Sequence, residues 1–250
     1  MDVIGVIPAR YSSTRFEGKV LADINGKPML QHVWERAKQS LVLDELIIAC
    51  DDERVFQAAK EFGARVVLTA KGHISGTDRI VEVVNPLDVK VVVNIQGDEP
   101  LIHPTMIDRV AQTLLNDKSL FMATIIKKID DPVLINDPHV VKVVADKNDF
   151  ALYFSRAPIP FHAANSGVQS PAYYKHIGLY GYTKDFLFTY KNLAVSDLEK
   201  IECLEQLRVL KEGYRIKVIE TKYDTIGVDT PDDLERLKEY LRENDNKSAQ

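Results

Sequence analysis

The chain has 250 residues, 45% of them apolar and 28% charged, the balance of a soluble globular protein of one large domain or one and a half small ones. That excludes a disordered chain, a collagen and a membrane bundle. The net charge of −5 argues against broad binding to nucleic acid or to an anionic membrane, so an anionic ligand must be caught locally by placed cations and backbone amides.

Residues 3–7, Val3-Ile4-Gly5-Val6-Ile7, form an unalternated apolar run ended by Pro8. Such a run predicts a strand buried on both faces, the habit of parallel sheets, and proline cannot donate to a central ladder. Runs at 46–50, 65–68 and 90–95 read the same way. Between them Leu30, Val33, Trp34 and Ala37 recur at helical spacing after Pro28, which suits a first turn. Val55, Phe56, Ala59 and Phe62 repeat the pattern, with Gly63 placed as a stop. Ile80, Val83 and Val84, then Ile107, Val110 and Leu114, give two more helices. Strand and helix alternate from residue 3 to about 116, which predicts an α/β fold with a parallel sheet covered on both faces.

The second half reads differently. Strands are predicted over 121–129, 140–145 and 177–182, separated by loops and therefore antiparallel. Helices are predicted over 198–212 and 232–242. Residues 158–171 hold three prolines and read as a surface loop, and the polar tail 244–250 as frayed. The two cysteines, Cys50 and Cys203, show no CxxC spacing and are expected to be buried free thiols. The N-terminus has no basic region before an apolar run, and no apolar stretch approaches the ~18 residues a membrane span needs. The expectation is a reduced, cytoplasmic compartment and no membrane partner.

In open α/β sheets ligands collect beyond the carboxyl ends of the strands, so the loops after the strands matter most. The first runs from Pro8 through Ala9 and Arg10 to Lys19 and carries Arg15, Ser12, Ser13, Thr14 and Gly18. Amides and hydroxyls to bond phosphate oxygens, with cations to offset their charge, are what a polyphosphate requires. A solvated basic loop explains the same residues. It is not a Walker loop, and the chain has no GxGxxG. The second loop is Gln96-Gly97-Asp98-Glu99-Pro100. A carboxylate pair there is costly unless hydrogen-bonded or holding a cation, and one Asp with substrate phosphates can hold Mg²⁺. A simple turn is the plainer account. Near the C-terminus, Thr230 suits a helix N-cap, Pro231 the first helical position, and Asp232 and Asp233 the positive helix end. Asp229 is left over, as a second metal ligand or a loop acid. Ser75 and Gly76 lead into a helix bearing Arg79, small enough for a flat ring to approach or simply a cap. Glu205 and Gln206 lie between leucines and read as the outer face of a helix. No GxSxG elbow or HExxH occurs, so hydrolase triads and zinc sites lack support.

In order, Ile7 to Arg15, Asn25-Gly26-Lys27-Pro28-Met29, Ser75-Gly76-Thr77-Asp78-Arg79, Asn94 to Pro100, Ala151-Leu152-Tyr153-Phe154-Ser155-Arg156, His176 to Tyr182, Leu204 to Arg208 and Gly227-Val228-Asp229-Thr230-Pro231 resemble the 3-deoxy-manno-octulosonate cytidylyltransferases nearly end to end. The resemblance implies a glycosyltransferase-A-like nucleotidyltransferase fold, usually a homodimer. Its mainly parallel sheet would have a nucleotide-binding half at 1–118, an antiparallel sugar-binding and dimerisation half at 119–226, and a closing loop and helix at 227–243. It implies coupling of CTP to a 3-deoxy-2-ketoaldonic acid, 3-deoxy-D-manno-octulosonate (Kdo), with release of pyrophosphate, for lipopolysaccharide synthesis. By motif, Ala9, Arg10, Ser13 and Lys19 would hold the triphosphate, and Ser75, Gly76 and Arg79 the cytidine. Asp98 and Asp229 would bind Mg²⁺. Gln96, Arg156, His176, Tyr180, Glu205 and Gln206 would hold the sugar acid, the planar fork of Arg156 suiting its carboxylate. Arg10, Lys19, Asp98 and Asp229 would be the catalytic set, since transfer of this kind relies on positioning and charge neutralisation.

Three departures stand out. Phe16-Glu17 replaces the family's usual Leu-Pro, Val20 stands where proline is common, and Phe161-His162-Ala163-Ala164-Asn165 lacks the Arg or Asp that many members carry. The last motivates a rival substrate, a modified acid such as the 8-amino analogue or a sialic-type sugar. A non-catalytic nucleotide-binding homologue is the reading from another class, and the intact Asp98, Asp229, Arg10 and Lys19 argue against it.

Overall fold

The computed structural model describes every residue except Thr14, Ile74, Ala164, Val168, Ser170, Ala249 and Gln250, and leaves out the side chains of 244–248. Thr14 of the first loop and Ala164 of the 161–165 loop thus lie outside the described residues. In chain order the elements are β1 (Val3–Ala9), a 3₁₀ turn (Lys19–Leu21), β2 (Asp23–Ile24), β3 (Lys27–Pro28), α1 (Met29–Ala37), β4 (Glu45–Cys50), α2 (Glu53–Glu61), β5 (Arg65–Leu68), α3 (Gly76–Val84), β6 (Val91–Asn94) and α4 (Pro104–Asn116). There follow β7 (Met122–Lys128), α5 (Val133–Asn136), β8 (Lys142–Ala145), β9 (Ala151–Ser155), β10 (Tyr174–Thr183), α6 (Lys184–Asn192), α7 (Asp197–Glu202), α8 (Leu207–Lys211), β11 (Lys217–Glu220) and α9 (Pro231–Ser248).

One sheet of nine strands runs through both halves, in the order β11-β7-β10-β6-β1-β4-β5, with β8 and β9 added beside β10. β1 is parallel to β4 and β6, β4 to β5, and β11 to β7. β10 runs antiparallel to both β6 and β7 and joins the two parallel blocks. Along β1 side chains alternate between two buried layers. Val3, Ile7 and Ala9 face one with α1, α2 and α4, while Ile4 and Val6 face the other with α3 and α6. That two-sided burial is why the run shows no polar alternation. Gly181 in β10 is required by α4 passing over it, because a Cβ would collide with Val110 and Leu114.

Several expectations are corrected. β1 continues through Pro8 to Ala9; its last partner in β6 pairs with Val6, so Pro8 lies where β1 has a neighbour on one side only. β5 is an edge strand with Arg65 and Leu68 exposed, not a doubly buried one. The single helix expected over 198–212 is two, because Cys203 takes a left-handed φ of 53° and ends α7. That turn leaves Cys203 exposed rather than buried. It also carries Glu205 and Gln206 into the connection, where Gln206 is buried instead of facing out. The tail continues as helix through Ser248.

A third, smaller cluster bears on the site. Leu234 and Leu237 of α9 pack with Val228 against Ile24, Met29 and Leu101. α9 therefore docks on the small β2–β3 hairpin and on the segment after β6, and holds the 226–229 stretch beside the sheet.

Candidate active site

The chain goes from β1 to β4 and β5 on one side, then crosses by α3 to β6 on the other. The switch point lies between β1 and β6, where an open α/β sheet leaves a crevice beyond its carboxyl ends. A cavity of about 370 Å³ occupies it, lined by Pro8, Arg10, Ser12, Ser13, Lys19 and Val20 after β1, by Gly76, and by Gln96, Gly97 and Asp98 after β6. Gly97 is needed for closeness, whereas a Cβ on Gly76 would make only ordinary contact. A Cβ on Gly97 would sit 3.0 Å from the Pro8 carbonyl oxygen, and one on Gly76 3.5 Å from the Pro8 ring.

The loop after β1 is closed on itself. The Gly18 N–H donates to the Tyr11 carbonyl at 2.8 Å, and Gly18 takes a φ of 69° against the Tyr11 ring. The Arg54 guanidinium covers that ring, 3.3 Å from its centroid. The 3₁₀ turn then starts at Lys19 and aims its side chain inward. Its ammonium donates to Asp98 Oδ2 at 2.5 Å, to Asp229 Oδ1 at 2.9 Å and to the Val228 carbonyl at 3.2 Å. Arg15 pairs with the other Asp229 oxygen at 3.0 Å. The Val228 N–H donates to the Asp98 carbonyl at 2.9 Å, fixing the two acid-bearing segments side by side. Burial disfavours the Lys19 charge, but Asp98 and Asp229 together outweigh it and hold the pKa above its ordinary value.

Two carboxylates that converge on one cation form a donor set that Mg²⁺ accepts, given substrate phosphates to complete its shell. Asp98 and Asp229 fit that requirement, with the Lys19 ammonium standing at their junction. No group of three or more acids, histidines or cysteines suited to a metal occurs among the described residues. Next to them Glu99 is pushed up to about 7 by burial, facing Thr225, and its Oε2 has no partner.

On the α3 side, Ser75 caps the helix and Asp78 returns the bond to the Ser75 N–H. Arg79, one turn in, is fully buried; it pairs with Asp51 at 2.7 Å and donates to the Thr69 hydroxyl, leaving Nε unpartnered. Ala9 lies behind the cavity wall with its side chain in the core. Beyond Gln96, whose amide donates to the Gly178 carbonyl at 3.0 Å, His176 and Tyr180 stand 5.2 Å apart by ring centroids. His176 Nε2 meets the Thr124 hydroxyl at 2.9 Å, and burial holds the imidazole near a pKa of about 3. Burial also raises the Glu205 carboxyl, which faces Thr77. The Gln206 Nε2 is buried without a partner.

Thus Arg10, Ser13, Lys19, Gly76, Gln96, Asp98 and Asp229 share one cavity and its rim, and Glu205 is hydrogen-bonded to Thr77, next to Gly76 in the chain. Arg156 is engaged elsewhere. Its Nε donates to the Glu202 carbonyl and Nη1 to the Pro138 carbonyl, and Lys142, fully buried, binds the Arg156 carbonyl at 2.6 Å. Thr77, read only as part of the Ser75 to Arg79 motif, and Asp51 were given no site role from the sequence. Asp51 directly follows β4, so the rule applied to the loops after β1 and β6 points to it equally.

The fold and this crevice define an open α/β protein whose carboxyl-edge cavity has two carboxylates converging on a lysine. The cytidylyltransferase family model matches residues 4–218. A 3-deoxy-manno-octulosonate cytidylyltransferase of Solibacter usitatus is 54% identical over 96% of this chain and 94% of its own length. One from Fusobacterium nucleatum is 48% identical, covering 98% of each. The solved structure of a CMP:2-keto-3-deoxy-manno-octonic acid synthetase complexed with CTP superposes with a TM-score of 0.91 at 41% identity, over 98% of this chain and 100% of that one. A glucose-1-phosphate thymidylyltransferase structure from Bacillus anthracis, 18% identical with a TM-score of 0.67, shares the fold. The chain belongs to the 3-deoxy-manno-octulosonate cytidylyltransferase family.

Proposed function

We propose that this protein is a nucleotidyltransferase that couples CTP to Kdo, giving CMP-Kdo and pyrophosphate. The observation that carries the reading is the convergence of Asp98 and Asp229 on one cation at the mouth of a cavity lined by the Arg10–Lys19 loop, in a chain so close to a relative solved with CTP.

In this reading the sugar's anomeric hydroxyl attacks the α-phosphorus and the bond to pyrophosphate breaks. Arg10, Ser13 and Lys19 bind the triphosphate, and Arg10 and Lys19 offset charge on the leaving pyrophosphate. Ser75, Gly76 and Arg79 form the cytidine side. Gln96 from the 1–118 half and His176, Tyr180, Glu205 and Gln206 from the 119–226 half orient the acceptor, with His176 neutral. Asp98 and Asp229 hold Mg²⁺, which when bound supplies Lewis-acid neutralisation of phosphate oxygens. The protein works as a homodimer in the cytoplasm, for lipopolysaccharide synthesis. Exposed Leu152 on β9 and Ile201 on α7 are surfaces of the kind a second copy covers, and sedimentation equilibrium measures that.

The test is pyrophosphate release with CTP, Mg²⁺ and Kdo, beside Asp98→Ala and a panel of other 2-keto sugar acids. Release with Kdo and little from the variant supports the reaction and the metal acid. CTP binding with no release for Kdo, but release for another acid, would replace the substrate.

A further inference from the structure

We propose that Asp51 is a positioning residue that couples the buried base-side arginine to the triphosphate loop, and so governs CTP binding without lining the cavity. The inference rests on the cytidylyl-transfer reading above.

Asp51 follows β4 on the carboxyl edge of the sheet, and it is not among the residues lining the cavity. Its two carboxylate oxygens serve two different segments. Oδ2 pairs with Arg79 Nη2 at 2.7 Å, and Oδ1 accepts from the Tyr11 N–H at 3.4 Å. Arg79 has no exposed side-chain surface. Its Nη1 donates to Thr69, whose hydroxyl donates to the Cys50 carbonyl at 2.8 Å. Burial lowers the Arg79 pKa, and the Asp51 carboxylate offsets that only in part. A buried guanidinium with one counter-charge depends on that partner for its place. Its Nε has no hydrogen-bond partner among the described residues.

Tyr11 is as firmly placed. Its ring lies between Arg54 and Gly18, and its carbonyl accepts from the Gly18 N–H. The bond between Tyr11 and Gly18 therefore ties two points of the chain together at Tyr11, with Arg10 just before it and Lys19 just after. A shift of Tyr11 moves both triphosphate cations, and a shift of Asp51 moves Tyr11 and Arg79 together.

The chemistry of the two partners makes the carboxylate specific. Both are donors, and a carboxylate accepts from each with a separate oxygen. An amide of the same shape turns its NH₂ toward one of them. Asp51→Asn thus breaks one link whichever way it faces.

The experiment is steady-state pyrophosphate release with CTP and Kdo varied separately, for wild type, Asp51→Asn, Arg79→Met and the double variant, with a thermal melt of each. Asp51→Asn is expected to raise KM for CTP about tenfold or more, from the penalty of a buried charged donor left unpaired. KM for Kdo should change less than about threefold, and kcat should fall alongside, because Arg10 and Lys19 move with Tyr11. A purely structural Asp51 would lower the melting temperature and the active fraction with no selective change in KM for CTP. The double variant holds no buried unpaired cation, so it keeps the test decisive if Asp51→Asn alone folds poorly. In the Arg79→Met background the Asn change should cost under about threefold in KM for CTP, because coupled residues are non-additive. An unchanged KM for CTP in active Asp51→Asn, or an equal cost in both backgrounds, overturns the proposal. Absence of release by the wild type overturns the functional reading instead.

Discussion

Lys19→Met removes the cation at the junction of the two acids and leaves a side chain of similar length. Two carboxylate oxygens that both reach one ammonium lie within about 6 Å of each other, where their repulsion is about 1 kcal/mol in water and about 3 kcal/mol at an effective dielectric constant near 20. Asp229 is about half exposed and Asp98 about a third, so solvent screening favours the lower end, about 1–2 kcal/mol. For a chain of this length that lowers the melting temperature by roughly 3–6 °C. Without CTP, millimolar MgCl₂ should recover most of that loss in the variant and barely move the wild type, where the ammonium fills the position until a triphosphate draws it away. NaCl at equal ionic strength is the control. Pyrophosphate release falls about thirtyfold or more even with the metal present, since a charge-assisted phosphate contact worth about 2 kcal/mol is gone. A variant with wild-type melting, or one restored equally by NaCl, would refute the idea that Lys19 and a divalent cation share one place.

Gly97→Ala puts a methyl group 3.0 Å from the Pro8 carbonyl oxygen, a backbone atom that yields only if β1 shifts. About 1–3 kcal/mol of overpacking strain is expected, with kcat/KM falling further than stability when kinetics and melts are compared. Gly181→Ala collides with Val110 and Leu114 away from the cavity and should lower the melt while sparing KM for CTP. His176 is held near a pKa of about 3, below its ordinary 6.5. Its contribution is therefore intact above pH 6.5 and lost as pH falls toward 3, by up to about 1.4 kcal/mol per pH unit. His176→Gln should flatten that slope in urea midpoints measured through the window, and an unchanged slope would place the acid sensitivity elsewhere.

The parallel block was legible because its strands are buried on both faces and its helices carry a clear stripe. β1, β4 and β6 with α1 to α4 fall where hydrophobic spacing puts them. β9 and β11 were hidden for opposite reasons. Leu152 keeps an apolar residue on the outer face of β9, and β11 has only Val218 and Ile219 between Lys217 and Glu220. The break at Cys203 depends on one left-handed residue that no local pattern marks. At the site, motif resemblance found the cavity-lining residues, while their partners stayed invisible. Asp51, Thr77 and Thr124 act through bonds across 28 to 53 positions or through a neighbouring helix, distances over which spacing carries no information. Arg156, expected to meet the sugar carboxylate, directs Nε and Nη1 to the Glu202 and Pro138 carbonyls, a placement that no spacing in the sequence marks.

The acid site joins parts of the chain that are far apart, 79 positions for Lys19 with Asp98 and 210 for Lys19 with Asp229. Closing the longer span costs conformational entropy that local contacts do not return, so Asp229 depends on what docks its segment. That is α9, through the small cluster of Leu234 and Leu237 with Ile24, Met29, Leu101 and Val228, separate from both faces of the main sheet. Leu237 is fully buried there, and its truncation to Ala costs about 2–5 kcal/mol of packing. Because the cluster is a satellite, that loss should be spent on local opening rather than on the sheet. Hydrogen exchange is expected to rise about tenfold or more across 226–241, with β1, β4 and β6 unchanged and the main melt within a few degrees. Pyrophosphate release should fall, and added MgCl₂ with CTP should restore part of it by favouring the docked segment. Uniform acceleration of exchange through β1 and β6, with activity tracking the folded fraction, would instead mean that α9 and the sheet unfold together and that Asp229 is not separately positioned.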